Sequence, residues 1–277
     1  MADLIAQRLP LFWRTMAVAA IPFALVTWRL LWLLGRAGAG DGSGGPIGVR
    51  GVLAAIGRGP APGWRRFLSY LLLDGVLHRR LWRTSKARWL AHGGVLIGFL
   101  GLMSMSALAA LADHVLRPLG VSEAVVAVIL NKDHPLMALT NETFGVVLLL
   151  GGLAAAARRV FRLGRYLPNE RPDVLAVGLL LFIAIGGYPL EALRLLMEAT
   201  TAEAARYSYL AWPLARVLAP LALPWAEWHF WTFQSHVFAS IALFVYWPLS
   251  KMMHVIAGPI VAGLGSAESC SSRCLLR

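Results

Sequence analysis

The chain has 277 residues, 58% of them hydrophobic and only 14% charged, with a mean hydropathy of +0.65. Those proportions exclude an ordinary soluble domain, and apolar runs without alternating polarity exclude a membrane barrel, so an all-α integral membrane protein is expected. The formal charge of +12 would point to nucleic acid in a soluble protein; here the basic residues collect in particular loops, which reads as membrane topology and leaves no nucleic-acid partner.

In chain order, residues 1–34 hold the first apolar run, Leu11 to Leu34. It is too long for a signal-peptide core and no convincing small-residue cleavage site follows, so it reads as a retained span with Arg14 and Arg29 snorkelling near its ends. Residues 35–88 begin as a Gly-, Pro- and Ala-rich linker. The stretch Trp64 to Trp82, WRRFLSYLLLDGVLHRRLW, then sets arginines beside an apolar face and predicts a helix lying on the membrane surface. Residues 89–260 supply four further spans. The second, about Trp89 to Leu111, starts with His92 and carries Gly93, Gly94, Gly98 and Gly101. The third, about Met137 to Ala157, follows His134-Pro135 and ends in an arginine-rich loop. The fourth runs from about Val174 to Met197, with Pro189 expected to kink its far end. An irregular stretch with Pro213, Pro220 and Pro224 leads to the fifth, Trp231 to Pro259, announced by Trp225, Trp228 and Trp231 as an interfacial belt. The tail, 261–277, holds the chain's two cysteines, Cys270 and Cys274, read as free thiols; the body has no Cys-rich pattern for an iron–sulfur cluster of its own.

Loops 35–88 and 158–172, with the tail, carry most of the Lys and Arg. By the positive-inside rule they face the cytoplasm. Five spans then put the N-terminus outside and the C-terminus inside a bacterial or archaeal cytoplasmic membrane.

The histidines of the spans suggest the chemistry. His236 and His254 are eighteen residues apart, five helical turns or about 27 Å, so they share one face and sit near opposite surfaces of a hydrocarbon core about 30 Å thick. Ionisable groups within a membrane helix are costly and mark functional paths. With this topology His92 falls at the depth of His254, and two neutral imidazoles from facing helices are suitable axial ligands for haem b. Gly93, Gly94 and Gly98 either let a porphyrin approach or pack helix on helix. His236 would hold a second haem near the outer face, with His134, His114 or Met103 as its partner. Glu191 and Arg194, one turn apart, pair with each other, or else Arg194 meets a haem propionate and Glu191 takes a proton from a quinol. Asn141 and Glu142, at the outer entrance of the third span, are a similar case. His78 is read as a solvated side chain of the surface helix, or as lining a quinone site.

HVFASIALFVYWPLSKMMHVIAGP resembles the last span of the gamma subunit of respiratory nitrate reductase, a membrane cytochrome b: His236, Pro248, Ser250, Lys251 and His254 match its His-x17-His pattern with Pro-x-Ser-Lys. RWLAHGGVLIGFLGL resembles its second span, with His92 as the first ligand. The membrane cytochrome b subunits of heterodisulfide-reductase-like and sulfite-reductase-associated complexes are more similar still. Asp74, His78, Arg79, Arg88, Trp89 and His92 match their approach to span 2, and Gly187, Glu191 and Arg194 match the end of span 4. One departure is clear: Leu102 stands where the nitrate reductase subunit has a second histidine, ten residues after the first. It bears on the second ligand of the outer haem and on that haem itself.

The resemblance implies five transmembrane helices, spans 2 to 5 forming a haem-binding four-helix bundle. It also implies an electron-transfer subunit working between the membrane quinone pool and a cytoplasmic iron–sulfur partner, through one or two b haems whose iron is held by His92, His254 and His236. The basic inner face would receive that partner. The rival expectations are a small transporter or proton channel with a His/Glu relay, which would need polar residues spread through mid-membrane, and a haem-free anchor.

Overall fold

The computed structural model describes residues 17–18, 20–29, 68–69, 71–161, 171–247, 250 and 252. Every regular element among them is helical. Residues 20–29 form a helical segment within the first predicted span. Eight α-helices follow that are bounded by described residues: α1 (Arg79–Thr84), α2 (Lys86–Leu111), α3 (Glu123–Leu130), α4 (Pro135–Val160), α5 (Arg171–Met197), α6 (Ala202–Ala205), α7 (Ala211–Leu218) and α8 (Trp225–Tyr246). Three stretches of the described chain are long and apolar enough to cross a membrane: Lys86–Leu116, Glu123–Val160 and Val174–Met197. They contain spans 2, 3 and 4 as read from the sequence. His254, the Pro-x-Ser-Lys lysine and both cysteines lie outside the described residues.

The chain divides into two compact units, Met1–Ser85 with Arg171–Ala176 and Ile241–Arg277, and Lys86–Glu170 with Val177–Ser240. In the first, the expected continuous surface helix is broken. A π-helical turn, Leu71–Val76, ends at Leu77, and His78 adopts the left-handed conformation, φ 49°, before α1 starts. Left-handed backbone is uncommon outside glycine, although histidine is among the residues that tolerate it. Arg79 reaches back across the break to Asp74 at 3.2 Å.

In the second unit, α2 and α4 meet along a seam of glycines. A methyl group at Gly98 would collide with the Leu148 backbone nitrogen, one at Gly151 with the Val95 nitrogen, and one at Gly101 with the Phe144 ring. Backbones this close require glycine, which is how small residues pack membrane helices where no hydrophobic drive separates protein from lipid. Gly94 belongs to the same seam, its Cβ position 3.1 Å from the Gly151 Cα. Gly94 and Gly98 are thus spent on helix packing. Gly93, beside His92, meets no atom within 4 Å at its Cβ position.

The stretch between spans 4 and 5, expected to be irregular, contains two short helices. Pro213 falls in the first turn of α7, where its missing N–H costs no helical bond. Ala211 and Ala215 on α7, with Ala205 of α6, bury against Ala192 and Leu195 of α5; Leu196, Trp212, Leu214 and Leu218 surround them. Small side chains on the inner stripe let α7 lie close against α5. The fifth helix starts at Trp225, earlier than the Trp231 expected, so the belt tryptophans are its first two turns.

Candidate functional site

The site is built in the second unit, from one transverse layer and a polar cluster beyond it. The layer is traced by close contacts. Gly101 of α2 abuts Phe144 of α4; the next residue, Gly145, faces the Tyr188 hydroxyl, 3.0 Å from its Cβ position; and Gly186 and Gly187 of α5 abut the His236 imidazole of α8, each 3.9 Å from a Cβ position to a ring atom. His236 therefore lies at the level of Gly101 on α2. Its Nδ1 is buried and has no hydrogen-bond partner, and the Tyr188 hydroxyl is likewise buried and unpartnered. Unsatisfied buried polar atoms are rare and call for an explanation.

About two turns beyond Gly187 along α5 stands Arg194, only 6% exposed. Its guanidinium donates to both oxygens of Glu191 (Nε–Oε2 3.0 Å, Nη2–Oε1 2.7 Å), to Glu198 at 2.5 Å and to Asp133 at 2.7 Å. The forked, delocalised cation suits several carboxylates at once. Ser208 donates to Glu191 at 3.5 Å and Thr200 to Asp133 at 3.5 Å. The alternative in which Glu191 and Arg194 pair with each other describes the geometry, and the pair is extended by two further acids.

Glu142 is 3% exposed and does a separate job. One of its carboxylate oxygens accepts from the backbone N–H groups of Leu210 at 2.6 Å and Ala211 at 2.9 Å. Leu210 cannot cap α7 with its own side chain, so a carboxylate from another helix satisfies the orphan amides and complements the positive end of the helix.

The other sequence candidates occupy scattered positions. His92 lies in the second turn of α2, half-buried. His134 is the N-cap of α4; its Nδ1 is buried without a partner, and the neighbouring Asp133 holds Arg194. His114 lies in a π-helical turn after α2, exposed, 3.7 Å from Asp113. Met103 is 37% exposed on α2. His78 belongs to the first unit. Sequence reasoning missed Asp133, Glu198 and Ser208 as partners of the Glu191–Arg194 pair, and Tyr188 altogether. Among the described residues no group of three or more His, Cys, Asp or Glu side chains could hold a metal ion. Haem differs, because the macrocycle supplies four of the iron's ligands and the protein one or two axial ones. For that group the residues fit: a half-buried imidazole, its Nδ1 buried and unpartnered, beside two glycines, and a second histidine, His92, next to a glycine with open space.

Described residues whose regular elements are all helical, with three apolar stretches of membrane length, define a polytopic membrane protein. Residues 78–262 match the family model described as nitrate reductase gamma subunit, and the chain belongs to that family. It is similar to a curated subunit of dihydromethanophenazine:CoB–CoM heterodisulfide reductase in three methanogens. The identity is 25% over 193 residues for Methanosarcina mazei, 24% over 194 for Methanosarcina barkeri and 25% over 194 for Methanosarcina thermophila. Each alignment covers 70% of this chain and 65% or 64% of the relative, so the chain spans a little under two thirds of their length. No solved structure matches.

Proposed function

We propose that this chain is the membrane cytochrome b subunit of a respiratory-type redox complex, passing electrons between membrane quinone and a cytoplasmic iron–sulfur partner. Its family and its similarity to the heterodisulfide reductase subunits support the reading. The observation that carries it is the half-buried His236 imidazole, set against Gly186 and Gly187 with its buried Nδ1 left unpartnered, within the matched residues. In this reading five spans cross the membrane, N-terminus outside, with spans 2 to 5 enclosing the haems. His92 and His254 hold an inner haem b and His236 an outer one. Bound haem supplies one-electron transfer; the protein supplies ligation, spacing and field.

The chain's own residues do the rest. The α2–α4 seam fixes the height of His92 relative to the layer. Arg194 gathers acids from α5 and from the turn before α4, so the outer end of the bundle keeps one geometry. The basic loops attract the partner at the inner face.

The test is a reduced-minus-oxidised spectrum of the chain purified with its membrane complex. A b-type α-band is expected, halved by His92→Ala and by His236→Ala. A fully active complex without haem leaves only a haem-free anchor, and proton flux across vesicles containing the chain alone would instead support a channel.

A further inference from the structure

The outer haem of the proposed reading needs a ligand opposite His236, and Leu102 occupies the place where the nitrate reductase subunit has a histidine. We propose that Met103 is that ligand, making the outer site a His–Met haem b. The inference rests on the haem reading above and names a residue for it.

Depth selects among the candidates. The contacts Gly101 to Phe144, Gly145 to Tyr188, and Gly187 to His236 tie four helices at one level. Met103 is two residues from Gly101, about 3 Å along the axis. His134 precedes Gly145 by eleven residues, roughly 16 Å further out, and His114 follows Gly101 by thirteen, roughly 20 Å further out. A macrocycle ligated on both faces takes its two axial ligands from nearly the same depth. Only Met103 meets that condition.

Phase agrees. Met103 is eleven residues after His92, which at 3.6 residues per turn returns it to within about 20° of the same face, whereas Leu102 is turned about 80° away. On α2, therefore, one face would present an inner and an outer ligand. That face is distinct from the glycine seam: Leu96, one turn after His92 on the same side, is 6% exposed, and Met103, further along, is 37% exposed. A thioether on three rotatable bonds can reach sideways to iron, and methionine opposite histidine raises the potential above that of a bis-histidine site.

The experiment uses the whole chain in its membrane complex, with near-infrared magnetic circular dichroism for the methionine-to-iron charge-transfer band, and a redox titration of the α-band. Two haems are expected, the one of higher potential carrying the methionine band. Met103→His should abolish that band, keep both haems and lower the higher potential. Met103→Ala should turn one haem high-spin and open it to carbon monoxide. His134→Ala and His114→Ala should leave both spectra unchanged. The proposal is overturned if the wild-type protein shows two haems but no methionine band, if the Met103 variants keep the wild-type spectrum, or if His134→Ala alone makes a haem high-spin. A single haem unaffected by His236→Ala removes the outer site while leaving the inner cytochrome reading intact. No haem at all removes both.

Discussion

The glycine seam between α2 and α4 and the cluster around Arg194 hold one unit together by opposite means. At the seam, side chains are absent, so backbone meets backbone: Gly98 against Leu148, Gly151 against Val95. At the cluster, three carboxylates converge on one buried guanidinium, and the helix ends are joined by charge-assisted hydrogen bonds. The seam relies on dispersion and tolerates no added volume. The cluster relies on Coulomb attraction and tolerates no lost partner. His236 lies against Gly186 and Gly187 of α5, the helix that carries Arg194 about two turns further on. Shape and charge thus fix different coordinates of one site: the seam sets how close the helices lie, the cluster how their ends are aligned.

Breaking each region should expose that difference. The largest effect is expected for Arg194→Leu, which strands Glu191, Glu198 and Asp133 around an apolar side chain. Removing one partner of a buried ion pair costs about 3–5 kcal/mol, with part of it relieved here because Glu198 is partly exposed. Thermal unfolding of the purified chain in detergent, followed by circular dichroism, should show a clearly lowered midpoint; an unchanged midpoint would mean the cluster is ornamental. Glu142→Ala comes next, since it leaves the Leu210 and Ala211 amides without their acceptor. Hydrogen bonds to charged groups contribute about 1.5–3 kcal/mol, and Glu142→Gln should recover part of that because an amide oxygen still accepts. Hydrogen exchange at the start of α7 reads this directly, and equal protection in the wild type and the alanine variant would refute the capping role. Gly98→Leu should overpack the seam at a cost of about 1–3 kcal/mol, seen as a lowered midpoint in the same thermal unfolding experiment. The smallest effect is expected for Gly93→Ala, where nothing stands within 4 Å. If that variant loses as much stability as Gly98→Leu, the seam has been assigned to the wrong glycines.

Much of the membrane architecture is legible in the residues alone. Apolar length and period mark spans 2, 3 and 4 within a few residues, because burying a backbone in lipid leaves a helix as the only economical form. Glu191 with Arg194 is legible as an i, i+3 pair. Asp133 is not, since its 61-residue separation from Arg194 is bridged only when α4 and α5 are packed. The helices α6 and α7 are hidden by the prolines around them, which look like breakers until Pro213 is seen to occupy a first turn. The two roles open to the glycines cannot be separated from spacing either. Gly93 and Gly94 are neighbours in sequence and face different surroundings.

Composition, length and periodicity are local properties, and they were enough to establish the class of protein and the spans with the strongest apolar runs. Packing had to settle which helix each glycine meets, that Arg194 serves three acids, and that His236 stands level with Gly101 instead of His134. Depth and register across helices come from side chains far apart in the chain settling against one another, and no local pattern encodes them.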